Sequence, residues 1–330
     1  MIASSAATPR DRISALWREI AASSSGPIYV ALLLVTVVTW ALILGNGGQI
    51  NVTNTLVRSV ALGLVAVGQT LVILGGSLDL SVAYQISITA VLASYVMQGD
   101  PDRMWLGVGA VIVVGLLIGL ANGLIITGLG VNAFIATLGT SLLLRGVLNA
   151  SFDNFTGAVP KAFQGLGYGS LGPVPYALLL FASLVGVVWF LLRRTRFGHH
   201  LYAVGASPET ARLSGIRVNR VIIGAHMLCS LTAVLTGLFI VSRLRAGAPW
   251  VGPDGNYDLE SIAAVVLGGT ALAGGKGGVL GTLAGVLLLA LLDNAFNQLQ
   301  VNTFLKDVVR GLIIVAAVAV YALGERRRHA

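Results

Sequence analysis

Charged side chains are scarce: 21 Lys and Arg with 13 Asp and Glu make up 10% of 330 residues, against about 25% in soluble domains. With 56% of residues apolar, 42 glycines and a mean hydropathy of +0.87, too little polar side chain remains to cover a globule in water. An ordinary soluble domain is excluded, and lipid is the solvent for most of the chain. Cysteine is nearly absent. Cys229 stands alone, which excludes an internal disulfide and leaves a small core residue as its simplest role. The four histidines, His199, His200, His226 and His329, fall at no metal-ligand spacing with cysteine or carboxylates, so no metal or other cofactor is expected and an enzyme lacks its parts. Also missing is a pair of acids in mid-membrane. Asp79, Asp293 and Asp307 sit scattered at the ends of expected helices, which argues against a proton-driven carrier. Ala273-Gly274-Gly275-Lys276-Gly277 lacks the leading glycine and the Ser or Thr of a phosphate loop. The net charge of +8 serves no nucleic-acid partner, because no soluble module is long enough to carry it.

What is present is a series of long charge-free runs, at 20–57, 59–78, 80–99, 104–144, 162–192, 221–242, 261–275, 277–292 and 311–324. A bilayer core of about 30 Å takes about 20 helical residues. The run 104–144 therefore holds two passes, broken near Gly128-Leu129-Gly130-Val131-Asn132. The expectation is an all-α polytopic membrane protein of about ten crossings, with a range of eight to ten: a segment 1–27, a transmembrane domain 28–323 and a tail 324–330. The first crossing follows Arg10, Arg12 and Arg18 without a small-x-small cleavage site and reads as a retained anchor. An even count places both ends in the cytoplasm, and most basic residues then fall inside, notably Arg193, Arg194, Arg196, Arg212, Arg217, Arg220 and Arg326 to Arg328. Outside loops hold Arg103, Lys161, Arg243 and Arg245, with Lys306 at an outer margin. Arg58, Arg145 and Arg310 lie within or at the edges of helices and should face protein or snorkel to an interface.

Two stretches share a pattern. Gly115, Gly119 and Gly123, with Asn122 among them, precede Val131-Asn132-Ala133-Phe134-Ile135 and Arg145-Gly146; Gly277, Gly281 and Gly285, then Asn294, precede Val301-Asn302-Thr303-Phe304-Leu305 and Arg310-Gly311. On the expected topology they run in opposite directions, the mark of an inverted repeat. Glycine at spacing four is equally the mark of close helix packing in membranes.

One polar stretch stands out on the inside, 193–220, with six arginines and a single acid, Glu209. Within it Pro208 to Leu213 can form a short helix: Ser207 caps it, Pro208 suits its first position, Glu209 favours its positive end and Gly215 stops it. This is either a knob for a cytoplasmic partner, with Leu213 and Ile216 as apolar contacts, or a solvated basic loop.

The residues RTRFGHHLYAVGASPETARLSGI (194–216) resemble the cytoplasmic coupling loop of the permease subunits of ATP-binding-cassette importers for ribose, xylose, arabinose and galactosides. Further likenesses are GQTLVILGGSLDLSV (68–82), VNAFIATLGTSLLLRG (131–146) and IAAVVLGGTALAGGKGGVLGTLAGVLL (262–288). The resemblance implies a bacterial inner-membrane subunit that pairs with a second permease copy, two cytoplasmic ATPases and a periplasmic or extracellular solute-binding protein. It also implies that Pro208, Glu209, Thr210, Ala211, Arg212, Leu213, Ser214 and Gly215 carry the contact with the ATPase. The chain departs from the family pattern at Ser77, Ala83-Tyr84, Asn132 and Ala206, and Tyr84 can reshape whatever its turn lines. A neutral sugar needs hydrogen bonds without charge. Gln69, Asn122, Asn149, Asn294 and Asn297, with Phe134 as an apolar wall, are therefore the candidate lining of the route, each of the polar ones equally able to bond a neighbouring helix. The rival class is a self-sufficient channel or secondary carrier, which would need neither ATPase nor loop.

Overall fold

The computed structural model describes residues 26–45, 52–302, 304–306, 308–309 and 311–312. Residues 1–25 of the expected amino-terminal segment, Arg310, the carboxy-terminal tail and most of the tenth crossing lie outside these residues. In chain order the helices are α1 (Gly26–Gly45), α2 (Val52–Leu74), α3 (Val82–Met97), α4 (Met104–Gly128), α5 (Ala133–Ser151), α6 (Lys161–Tyr168), α7 (Tyr176–Arg194), α8 (Arg196–Ala206), α9 (Pro208–Leu213), α10 (Val218–Leu244), α11 (Val251–Asp254), α12 (Tyr257–Leu267) and α13 (Val279–Gln298). Among the described residues the departures from an all-α fold are a hairpin of two-residue strands between α6 and α7, β1 (Ser170–Leu171) and β2 (Val174–Pro175), and an isolated antiparallel bridge between Thr156 and Gly247.

Among the described residues, six helices are long and apolar enough to cross a membrane: α2, Pro101–Gly128 including α4, α5, α7, α10 and α13. The expected crossing at 80–98 is the shorter apolar α3, with 16 residues, and that at 259–273 shrinks to α12, with 11. At 1.5 Å per residue these rise about 24 Å and 16 Å, short of a core of about 30 Å.

Burial separates the helices into a centre and a rim. From Ser59 to Leu74 every residue of α2 is buried, and α10 packs along it. The rim helices bury single stripes. On α4 the stripe is Gly107, Val111, Gly115, Gly119, Asn122 and Gly123; on α7 it is Ala177, Phe181, Val185, Val188 and Leu192. That spacing puts one apolar-to-small face inward while Leu106, Val113, Leu117 and Val187 point out. The α4 glycines allow near backbone contact with α10: a β-carbon at Gly119 would sit 2.7 Å from Met227 Cα, and one at Gly123 2.7 Å from Ile223 Cα. Gly281 and Gly285 do the same for α13, but against Gly268 and Ala264 at the end of α12.

Between α10 and α12 the chain re-enters the bundle. Gly247 packs against Ala90, Val91 and Ser94 of α3, whereas Gly252 packs against Ala83 and Ser87, with its N–H donated to Ser87 Oγ at 3.0 Å. That is a descent of about 10 Å along α3. Read from sequence as an outside loop, 246–256 is instead a re-entrant segment that hands over to α12 through Asn256, at φ +46°. Irregular backbone at this depth is tolerated where protein or a wet cavity covers it.

Gly119→Leu should force α4 off α10 and cost about 1–3 kcal/mol or more, read as a lower thermal unfolding midpoint in detergent. Gly109→Leu, where nothing lies within 4 Å of an added β-carbon, should leave the midpoint unchanged.

Candidate translocation route and coupling elbow

Two polar cavities flank the re-entrant segment and share Asp254. One, of about 290 Å³, is lined by Thr55, Arg58 and Ser59 of α2, Asp254, Tyr257 and Glu260 of α11 and α12, and Asp293, Asn294 and Asn297 of α13. The other, of about 490 Å³, is lined by Tyr84 of α3, Arg145 and Asn149 of α5, Asp153, Trp250 and Asp254. The candidates Asn149, Asn294 and Asn297 therefore border cavities, and Asn297 Oδ1 accepts from Lys306 Nζ at 2.7 Å. Arg58 and Arg145, expected to face protein or an interface, line these cavities. Charged and amide side chains at such positions persist in a membrane where they face one another or water. Together, guanidinium, carboxylate and carboxamide groups supply donors and acceptors in the mixture that a polyhydroxylated solute presents. Asp254 was missed from sequence because residues 246–258 read as a loop in water. The signal was Gly252-Pro253-Asp254-Gly255-Asn256, a break where an apolar run should have begun.

Other candidates lie elsewhere. Phe134 opens α5 and is 47% exposed, bordering neither cavity. Gln69 is sealed in the middle of α2, its Oε1 accepting from Cys229 Sγ at 3.6 Å. Asn122 is also sealed, in a polar network that sequence spacing did not reveal. The Asn122 amide donates to Ser81 Oγ at 2.9 Å and its oxygen accepts from Thr140 at 2.6 Å. Ser81 donates through both N–H and hydroxyl to Asp79 Oδ1. Asp79 Oδ2 lies 3.4 Å from His226 Nδ1, and His226 Nε2 lies 2.9 Å from Ser77 Oγ. Asp79 and His226 are both fully buried. The turn 75–81 is thus bound to α4, α5 and α10 by side chains, Leu80 N–H being donated to Thr137 Oγ1 at 3.1 Å.

On another face lies the elbow. Pro208–Leu213 forms the short helix expected, with Ser207 Oγ accepting from Thr210 N–H at 3.2 Å, Pro208 in its first turn and Gly215 at φ +81° after it. Ala211 is its one buried residue; Pro208, Glu209, Thr210, Arg212, Leu213, Ser214 and Gly215 are exposed, Leu213 at 85%. Ile216 differs from Leu213 in packing against the core. Before it stands a helix not read from sequence, α8, capped by Thr195 and burying Gly198, Leu201, Val204 and Gly205.

Known proteins carry the same pattern. A family model described as the permease component of branched-chain amino acid transport systems matches residues 51–318. The chain belongs to this permease family. It is a membrane transport component. The ribose import permease protein RbsC of Escherichia coli K12 is 39% identical over 276 residues, 82% of this chain and 85% of its own. The L-arabinose transport system permease protein AraH of the same strain is 36% identical over 257 residues, 78% of this chain and 77% of its own. Its galactose/methyl galactoside import permease protein MglC is 31% identical over 327 residues, 92% and 95%. No solved structure matches this permease.

Because Asp79 and His226 are sealed together, removing one strands the other. Asp79→Ala should leave the Ser81 donors and His226 without their acceptor and cost the permease about 1–3 kcal/mol or more, and Asp79→Asn clearly less, measured by denaturant or thermal unfolding in detergent micelles.

Proposed function

We propose that this permease is the membrane subunit of an ATP-binding-cassette importer for a neutral monosaccharide, delivered by an outside binding protein and driven by cytoplasmic ATPases. The observation that carries the reading is the pair of polar cavities meeting at Asp254, in a chain whose relatives are named as ribose, L-arabinose and galactose permeases. The route passes Arg58, Tyr84, Arg145, Asn149, Asp254, Asn294 and Asn297. Partly exposed hydrogen-bonding groups hold a sugar weakly enough to release it, which suits passage better than a tight midplane site. Tyr84 and Trp250 add flat apolar faces beside those groups.

The elbow 193–220 is the ATPase-docking surface, with Pro208 to Gly215 as the contact. An exposed capped helix carrying one acid, one base and an uncovered leucine supports this role. Basic residues on the elbow favour a cytoplasmic location and cytoplasmic termini. A second permease copy completes the gate, within the bacterial inner membrane, and ten segments remain the proposed count if α1, α3, α12 and the stretch from 304 are included.

An inverted repeat is supported by packing. α4 lies on α10 and α3, α13 lies on α2 and α12, and α2 lies on α10; exchanging α2 with α10, α3 with α12 and α4 with α13 leaves this scheme unchanged. Asn132 accepts from Phe134 N–H at 2.9 Å and Asn302 from Phe304 N–H at 3.0 Å, the same cap in both halves. The glycine stripes do not follow the exchange, since that of α4 meets α10 whereas that of α13 meets α12.

In proteoliposomes carrying permease, ATPase and binding protein, Asp254→Ala should lower uptake of radiolabelled D-ribose, L-arabinose or D-galactose at least tenfold while leaving ATPase capture intact. Uptake by the permease alone would overturn the proposal in favour of a self-sufficient channel. Glu209→Lys combined with Gly215→Val should abolish ATPase capture by correctly inserted protein, because a β-branched residue cannot follow the φ of +81°. Capture at the unmodified level would remove the elbow from the mechanism.

A further inference from the structure

Beneath α2 three glycine-bearing segments meet: Gly75-Gly76 after α2, Gly205-Ala206 at the end of α8, and Gly274-Gly275 between α12 and α13. A β-carbon at Gly205 would fall onto the Leu74 carbonyl oxygen, which already accepts from Gly275 N–H at 3.0 Å. One at Gly274 would come within 2.8 Å of Gly76 N and 2.9 Å of the Gly205 oxygen; one at Gly275 would come within 2.7 Å of Ala206 N. Gly76, Gly274 and Gly275 hold φ of +75°, +89° and +72°, a region open to glycine at little cost. Backbone therefore meets backbone across three segments, with only the Ala206 β-carbon and the tip of Leu201 beside the contact. A peripheral bond accompanies the knot: Tyr202 of α8 donates its hydroxyl to the Gly277 oxygen at 2.8 Å. Burial pushes that phenol above its ordinary range, against a smaller opposing pull from Arg193, so it stays a donor at neutral pH.

The position of this knot matters. α9 rides on α8 and α10, with Ala211 as its buried contact. Directly beyond Gly76 comes Ser77, bonded to His226, then Asp79 and the network holding α4, α5 and α10. Seven residues before Gly274 is Leu267, the end of α12, whose start borders the Asp254 cavity. A displacement of α8 thus reaches the α2–α3 turn and the α12–α13 loop together, one in each half of the proposed repeat.

We infer that Gly205, with Gly75-Gly76 and Gly274-Gly275, is the joint that transmits movement of the ATPase-docking elbow into both halves of the permease, and that Tyr202 positions it. The inference rests on the reading of α9 as the ATPase contact and is separable from it. A docking failure shows as lost ATPase capture. A joint failure shows as capture without work.

The test uses the complete transporter, permease with its ATPase and binding protein, in proteoliposomes, with the three radiolabelled sugars named above as probes. Gly205→Ala should keep ATPase capture but lower sugar moved per ATP hydrolysed at least tenfold. Where Gly205→Ala fails to insert, Tyr202→Phe decides, since it removes a single oxygen: it should keep insertion and capture, lower sugar per ATP two- to fivefold, and blunt stimulation of ATP hydrolysis by the loaded binding protein. A merely structural role for Tyr202 would lower the amount of protein without changing that ratio. An unchanged ratio and unchanged stimulation in Tyr202→Phe, or in a well-inserted Gly205→Ala, overturns the inference.

Discussion

Lipid offers no hydrogen bonds, so a backbone that leaves the helix inside a membrane must find its partners within the protein. This chain leaves the helix at 75–81 and at 246–256, among other breaks, with much of the freed backbone packed inside the protein, and much of its remaining organisation answers that constraint. The first break is bound by side chains, with Asp79, Ser81 and Thr137 each accepting or bridging where a helical bond is missing, and His226 and Asn122 closing the set. The second is bound in part, through Ser87 to Gly252 N–H and through Thr156 and Gly247, which exchange backbone bonds of 2.8 and 2.9 Å. Other backbone groups bond within the segment, as Asp254 N–H does to the Trp250 oxygen, while the Asp254 side chain borders the cavities. One constraint has two solutions, a sealed one and an open one.

The two breaks occupy corresponding places. Asp79 stands three residues before α3, and Asp254 three before α12. Beside Asp79 lie Asn122 on α4 and His226 on α10; in the cavity of Asp254 lie Asn294 on α13 and Arg58 on α2. Each set draws an acid, an amide and a basic group from helices that the proposed repeat exchanges. The likeness is chemical and topological, and it explains why acids at apparent helix ends, unpromising as a linear series, matter in three dimensions.

How much of this could be read from the residues varies by physical cause. Long spans were legible because periodicity and length are local properties, as in α2 and α10. The helix Pro208–Leu213 was legible to the residue, since Ser207, Pro208 and Gly215 are local stereochemical signals. α8 was hidden by its charges and its pair of histidines, although Phe197, Leu201 and Val204 mark one face of a helix. The crossing expected at 259–273 corresponds to a shorter helix, α12, because the apolar run is preceded by the descent of 246–256, which supplies part of the path without an apolar signal. Pairings across the fold, Asp79 with His226 above all, were illegible, because 147 residues separate the two. Asn122 and Gln69 were chosen as route residues for being polar among apolar neighbours, a property that a sealed hydrogen bond satisfies equally well.

The contrast between the sealed and open clusters bears on where the work of transport is supplied. Arg58 and Asp254 are exposed to the cavities, where charge pairs are worth only about 0–1 kcal/mol, so on the proposed route a sugar displaces little in binding there. Opening the sealed cluster means separating Asp79 from His226 with both still shielded, a cost of about 1–3 kcal/mol for each buried polar group left without a partner. Weak contacts with a neutral solute return too little to meet it. On the proposed mechanism the difference enters mechanically, at the turn that holds Ser77 and Asp79, and that turn is the one on which Gly205 of the elbow rests. On that proposal the closed side is held by bonds that the solute cannot break, and the elbow touches the segment whose movement would break them.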